Sequence, residues 1–357
     1  MVGRLAKTLK IHPRSVGRAM RREQMRAAGH APRAGRPRIY TAEADAAVRL
    51  LFDEMGAPCA ENMKPAIDEY IHWLTIEKRW RVDPATEALV KGVSIGTLKK
   101  KIAGFRVKDG TARAYSATRT STLHVLVPIR KSHTWFGLPP GYVQMDTVVH
   151  CGDRLTGDVI YSTGAVDFAT YWSEYTAQWN KGEVATKESV ATLRGRFPVP
   201  WQEMHPDTGT EFLNHHFFRW SEKENIQMTR SEPYKKNDNM CIEERNGYLP
   251  RRYVGYARLD DTALVPLVSE ILRVACLLHN HFRPVRRMLT KKRIHSKWHR
   301  TYEKVSKTPY QRVLELGGVS AAAKQRLRRE HAQLNPLALK RELDTLRERL
   351  RKQLFNN

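Results

Sequence analysis

Two hydrophobic periods divide the chain. Between residues 41 and 102, apolar side chains recur three and four apart: Ala44, Ala47, Val48, Leu51 and Phe52, then Met63, Ile67, Tyr70, Ile71 and Leu74, then Leu89, Val93, Ile95, Leu98 and Ile102. That spacing lines one face of a helix, so it predicts helices at 41–56 and 60–78 and a helical pair over 85–102. From Pro140 the pattern changes to strands. Strands are expected at 142–150, 158–167 and 168–178, with turn signals at Gly152, Asp153 and Gly157. A helix at 183–197, a short strand at 200–205, a helix near 211–224 and a strand at 226–230 follow, then helices near 240–256 and 261–281. This order predicts a multidomain chain, with all-α N-terminal modules ahead of an α/β core. The core is a mixed five-stranded sheet with helices on both faces, and a helical tail follows it.

Two segments of the N-terminal part look like helix-turn-helix units. In residues 5–20, Leu5, Ala6, Leu9, Ile11, Val16 and Met20 would share a small core, leaving Arg14, Ser15 and Arg18 outward on the second helix. In residues 85–102, Gly92 would make the turn and Ser94 would cap the second helix, with Thr97, Lys99, Lys100 and Lys101 as contacts. Between them, A-P-R-A-G-R-P-R-I (31–39) cannot be helical throughout, because Pro32 and Pro37 interrupt it. Extended G-R-P-R suits a narrow minor groove, where Arg36 and Arg38 would sit; a solvated tether is the plainer reading.

Charge narrows the partner. The 357 residues carry a formal net charge of +25. Such an excess repels itself unless a polyanion is present, and nucleic acid is the usual one. Anionic membrane is the rival, but no apolar run approaches the roughly 20 residues of a spanning helix. Cys59, Cys151, Cys241 and Cys276 lie far apart with no C-x-x-C pair, which argues against a zinc site or a disulfide framework. With no apolar secretory stretch at the N-terminus, a cytoplasmic, nucleoid-associated location is expected.

Three carboxylates carry the chemistry. Asp146 lies within Y-V-Q-M-D-T-V-V-H, Asp207 within H-P-D-T-G-T-E-F and Glu243 within N-D-N-M-C-I-E-E-R-N; 35 residues separate the last two. Each falls on a different expected element: a strand centre, a strand end and the first turn of a helix. On the first strand Tyr142, Gln144, Asp146 and Val148 share a face, and an acid there is costly unless paired or coordinated. Hard oxygen ligands that converge this way suit Mg²⁺ or Mn²⁺, and a pair of such ions is the standard device for in-line attack on a phosphodiester.

Over residues 135–312 the chain resembles the DDE transposases of bacterial insertion sequences, whose catalytic core is retroviral-integrase-like and RNase H-like. The segment Leu277 to Leu289 is similar to the Asn-x-x-Arg-Pro segment closing that core, matched by Asn280, Arg283 and Pro284, and 291–300 and 308–312 match the group's distal end. The resemblance implies that Asp146, Asp207 and Glu243 are both catalytic and metal-holding, with two ions in the site. It places the catalytic acid directly after an aliphatic residue, here Ile242, which selects Glu243 over Glu244. Thr208 departs from the Asn often found after the second Asp. The function it implies is a transposase: binding of element ends, metal-dependent cleavage and strand transfer, on double-stranded DNA and as at least a dimer. The alternatives are an inactive or domesticated DNA-binding regulator and a nuclease acting on RNA–DNA hybrids.

Around that core, Tyr234 would stack on an unpaired base and Lys235 and Lys236 would hold phosphates. Arg245, Arg251 and Arg252 would form a basic stripe along the helix after Glu243. His279, His281, His295 and His299 invite a zinc reading but lack a cysteine pair, so scaffold or DNA contact is expected. The divisions expected are 1–30 (first helix-turn-helix), 31–40 (basic linker), 41–105 (helical DNA-binding domain), 106–134 (linker), 135–282 (catalytic core), 283–316 (basic segment) and 317–357 (helical tail).

Overall fold

The computed structural model describes residues 12–27, 39–105, 127–206, 212, 215–231, 239–294 and 297–355. Two compact units divide the chain, Met1–Asp45 and Ala46–Asn357.

In the first unit a single helix, α1 (Pro13–Ala27), covers what is described of the first expected helix-turn-helix. The other half of that expectation, residues 5–11, lies outside the described residues. Helix α2 (Ala42–Glu54) starts where Thr41 Oγ1 accepts from the Ala44 amide, with Glu43 and Asp45 in the first turn.

The helices that follow form a small layer: α3 (Ala60–Met63), α4 (Ile67–Ile76), α5 (Pro84–Lys91) and α6 (Ile95–Ala103). Their starts are written locally. Asp83 accepts from the Ala85 and Thr86 amides ahead of α5, with Pro84 in the first turn, where its missing N–H costs nothing. Ser94 accepts from the Thr97 amide ahead of α6. Val90, Val93, Leu98 and Ile102 are buried, and a three-residue connection joins the two helices.

The α/β core begins with β1 (Tyr142–Val149), β2 (Ile160–Asp167) and β3 (Ser173–Trp179), an antiparallel meander. Helix α7 (Glu183–Arg196) leads to β4 (Glu203–Pro206), and α8 (His215–Lys223) leads to β5 (Gln227–Met228). Strand β4 pairs parallel with β1, and β5 parallel with β4, giving the order β3-β2-β1-β4-β5. This is the mixed five-stranded sheet expected from the strand and helix order.

Alternation gives the sheet two different faces. Val143, Met145 and Ala165 pack with Val190 and Leu193 of α7 and Phe217 of α8, a core in which each large apolar side chain contributes on the order of 1.5–3 kcal/mol. Gln144, Asp146 and Gly164 point to the other face, where α9 (Met240–Tyr248) lies. The expected helix over 240–256 is two helices. Leu249 adopts φ −112 and ψ −85, and Pro250, which cannot donate an amide, opens the short α10 (Pro250–Tyr253).

Strand β3 also begins later than expected. Asp167 is fully buried and accepts from the Gly141 and Thr170 amides and the Thr170 hydroxyl, folding 168–172 into a turn in which Tyr171 takes φ 62. Burial pushes the Asp167 carboxyl upward, opposed by those same hydrogen bonds.

Helix α11 (Val265–Phe282) packs along β3, where Asn280 bonds both the amide and the carbonyl of Ser173. With its preceding turn it is 21 residues long and contains an 18-residue window of mean hydropathy 1.5, long and apolar enough by composition to cross a membrane. That corrects the expectation that no such stretch exists. Here half of it is buried inside the fold, and Ser269, Asn280 and His279 spend their polar groups on β3 and Tyr253.

The basic segment holds an unexpected antiparallel hairpin, β6 (Met288–Ile294) with β7 (Lys297–Tyr302), followed by α12 (Pro309–Glu315). Helices α13 (Ala321–Gln333) and α14 (Pro336–Phe355) complete the tail. Leu337, Leu339, Leu343 and Leu350 are buried, with α14 packed on α11 and tied to the helical layer by Arg341 on Glu77 at 2.6 Å.

Candidate active site

Strand β1 supplies the first carboxylate. Asp146 is half-buried opposite Gly164 on β2, and Gly164 in turn faces Tyr175 on β3. The glycine is a space requirement: a Cβ there would lie 2.1 Å from the Tyr175 ring. That ring lies across the sheet and donates its hydroxyl to Asn246 Oδ1 at 2.8 Å. With its oxygen so occupied, Asn246 turns its amide nitrogen to Asp146 Oδ2 at 2.7 Å, while Asp146 Oδ1 accepts from the Thr147 amide. Burial, and then the Asp146 charge, hold the Tyr175 phenol well above its usual range, so it remains a donor.

Gln144 fixes the other end of α9. Asn239 makes no side-chain cap, and the fully buried Gln144 carbonyl accepts instead from the Cys241 and Ile242 amides at 3.0 and 3.3 Å. Two side chains two residues apart on one strand therefore set the start of α9 and a point further along it. Glu243 stands in the first turn of α9, exposed and one turn ahead of Asn246, on the same side of the helix. Glu244 is rotated away and lines a cavity with Arg245, Arg252, Cys59 and Tyr248.

Strand β4 brings the chain to the same place. Its last residue, Pro206, pairs with Met145, the neighbour of Asp146. Asp207 follows Pro206 and lies outside the described residues, as do Arg36, Arg38, Tyr234, Lys235 and Lys236. The β4–β5 edge is braced from below. Buried Glu203 is paired with Arg130 and accepts from Thr229, and His205 bonds Thr229 and Ser231. Burial and then Arg130 press the His205 imidazole down to about 3, so it is a neutral scaffold group.

Among the described residues no group of three His, Cys, Asp or Glu side chains could hold a metal ion. Asp146 and Glu243 are two hard oxygen donors on facing elements. Asp146 Oδ1 accepts from the Thr147 amide and Oδ2 from Asn246, which orients the carboxylate toward the α9 side of the sheet. That donor set fits a divalent cation.

The expected DNA-contact residues differ in exposure and partners. Arg14 and Ser15 are exposed on α1, and the Arg18 side chain lies outside the description. On α6, Thr97 bonds Ser94 at 3.0 Å, Lys99 pairs with Glu61 at 2.6 Å, Lys100 is exposed and Lys101 half-buried. The stripe expected along α9 does not form. Arg245 is 4% exposed with its guanidinium over the Tyr171 ring, Arg251 lies over Tyr256, and Arg252 donates to the Gly56 carbonyl. Arg245 precedes the break at Leu249 and is buried, whereas Arg251 and Arg252 follow it on the separate helix α10.

Sequence reasoning missed Gln144, Gly164, Tyr175 and Asn246. Asn246, three residues after Glu243, was the available signal, since that spacing puts both on one side of a helix.

No known family profile matches the chain. Among solved structures, the catalytic core domain of BIV integrase aligns with TM-score 0.33 and 18% identity, covering 48% of this chain and 91% of that one. Among curated proteins, the uncharacterized protein y4rM of Sinorhizobium fredii is 30% identical over 263 residues, 71% of this chain and 73% of that protein. The chain belongs to the same family as y4rM.

Proposed function

We propose that this protein is a DNA transposase of the DDE type, cutting at element ends and joining them to target DNA. The observation that carries this reading is the Asn246–Asp146 hydrogen bond. It ties a mid-strand carboxylate to the helix that presents Glu243, beside the strand that leads into Asp207.

Asp146 and Asp207 would hold two divalent cations, Mg²⁺ or Mn²⁺, between them, with Glu243 completing the second position. Bound there, the ions would offset charge building on the phosphodiester and acidify the attacking water or 3′-hydroxyl. The protein's own part is positioning. Asn246 fixes the rotamer of Asp146, Tyr175 fixes the face of the Asn246 amide, and Gln144 fixes the start of α9 and hence Glu243. The helix pair α5–α6 and the basic N-terminal segment would bind element ends as helix-turn-helix modules, and the +25 charge supplies attraction to the duplex. Two ends must meet for joining, so at least a dimer on DNA is expected.

Full-length protein incubated with supercoiled plasmid and Mg²⁺ or Mn²⁺ should nick the DNA. Asp146→Asn, Asp207→Asn and Glu243→Gln should each abolish nicking and leave DNA retention intact. Nicking by all three variants at the wild-type rate would refute the assignment. Retention without any nicking by the wild type would favour a DNA-binding regulator instead.

A further inference from the structure

Among the described residues of the β6–β7 hairpin, none is buried. Leu289, Ile294, Trp298 and Tyr302 are 42%, 49%, 49% and 42% exposed, and Lys292, His299, Arg300 and Thr301 are exposed as well. Between residues 286 and 302 there are seven lysines and arginines and no acid. A two-stranded ribbon exposed on both faces is marginal by itself, and like charges directly opposite each other weaken it further. Lys291 nevertheless stands opposite Arg300. Trp298 shares that face, two residues before Arg300, with the Lys291 ammonium 5.1 Å from its ring centroid.

The base of the hairpin, by contrast, is held firmly. Glu303 accepts from the Arg287 amide and from buried Arg312, and Arg287 also reaches the Ala169 carbonyl at 2.6 Å. The ribbon is thus carried on the α/β core, with Lys292, Arg300, Trp298 and Tyr302 exposed.

We propose that this hairpin is a DNA-binding ribbon that enters the major groove of a B-form duplex through its Lys291–Arg300–Trp298 face. The proposal takes from the reading above only that DNA is the substrate. Charge identifies a polyanion, and dimensions identify which one. Strands of 7 and 6 residues make a ribbon roughly 20 Å long, and the B-form major groove, about 12 Å wide, admits a two-stranded ribbon. The deep, narrow major groove of A-form RNA does not. A membrane surface would ask for an unbroken apolar face, whereas here each exposed apolar residue has cations beside it.

The test is the salt dependence of binding to a fluorescein-labelled mixed-sequence DNA duplex by full-length protein. Each phosphate contact contributes about 0.9 to the slope of log affinity against log salt. Lys291→Gln/Arg300→Gln should therefore lower the slope by nearly 2 and weaken binding roughly tenfold or more at ~0.15 M salt. Lys291→Arg/Arg300→Lys should restore the slope, which separates charge from a folding defect. Trp298→Ala should weaken binding without changing the slope. Unchanged affinity and slope in the Gln variant would overturn the proposal. So would an equal loss on an RNA duplex or on phosphatidylserine vesicles, or a wild type that binds no duplex at all. Asp146→Asn separates the two readings. Hairpin variants that bind normally while Asp146→Asn fails to nick sink the hairpin alone; the reverse pattern sinks the catalytic reading alone.

Discussion

Asn246 on α9 donates its amide nitrogen to Asp146 on β1 at 2.7 Å, while its carbonyl oxygen accepts from the Tyr175 hydroxyl at 2.8 Å. An amide has a donor end and an acceptor end, and the two neighbours use one each. Asn246→Ala should therefore lower metal-dependent nicking by about 10–100-fold, the usual effect of removing a partner that orients a metal-binding group. Asn246→Asp, an acceptor only, should do no better. Nicking rates with thermal unfolding as the control check this, and wild-type rates in both variants would remove Asn246 from the positioning role.

Gly164 is required by the Tyr175 ring. Gly164→Ala should destabilise the fold by about 1–3 kcal/mol, the range for overpacking a filled site. The matched control is Gly195→Ala on α7, where a Cβ meets nothing within 4 Å. That substitution should be neutral or stabilising by up to roughly 1 kcal/mol, from helix propensity. Chemical denaturation of the two variants should give opposite signs.

Gln144 caps α9 from the neighbouring strand. Gln144→Leu keeps the bulk but leaves the Cys241 and Ile242 amides without their buried acceptor, at a cost of about 1–3 kcal/mol. Amide hydrogen exchange should report it locally: the first turn of α9 should lose protection while β1 keeps it. Uniform protection in the variant would mean that the helix start is held by something else.

Much of this was legible in the chain and some was not, for physical reasons. The succession of strands and helices, the helix starts near Thr41 and at Ser94, and the face shared by Gln144 and Asp146 follow from alternation and capping, which are local. The turn at 168–172 was not legible, because F-A-T-Y-W is β-prone and only the buried Asp167 carboxylate closes it. The β6–β7 hairpin was hidden for a different reason. Both of its faces are exposed, so no apolar–polar alternation marks it, and it reads as a charge run. The Gly164–Tyr175–Asn246–Asp146 chain spans three strands and a helix, and no local pattern could reveal it.

Burial also sets a pH dependence. Glu174, buried beside Trp172 and Asn280, has its carboxyl pushed up to about 8 from 4.5 by desolvation. Between those values the unfolded chain releases a proton that the native state keeps, so this group lowers stability as pH rises from 4.5 to 8. Glu174→Gln should remove that decline, so its stability relative to wild type should improve from pH 5 to pH 8. His150 works in the opposite sense. Held down to about 3 by burial, and then by Arg251, it contributes stability that is present above 6.5 and lost as pH falls toward 3. Denaturation midpoints for wild type and Glu174→Gln across pH 5–8 decide whether Glu174 is protonated in the fold; parallel curves would show that it is not.

The most direct measurement is anomalous diffraction from crystals of the protein grown with Mn²⁺. A manganese peak bonded to an Asp146 oxygen, with Asp207 or Glu243 as a second ligand at about 2.0–2.3 Å, is the expected result. The peak should vanish in Asp146→Asn. Manganese that binds elsewhere, with no peak at Asp146, would contradict the assignment of this site.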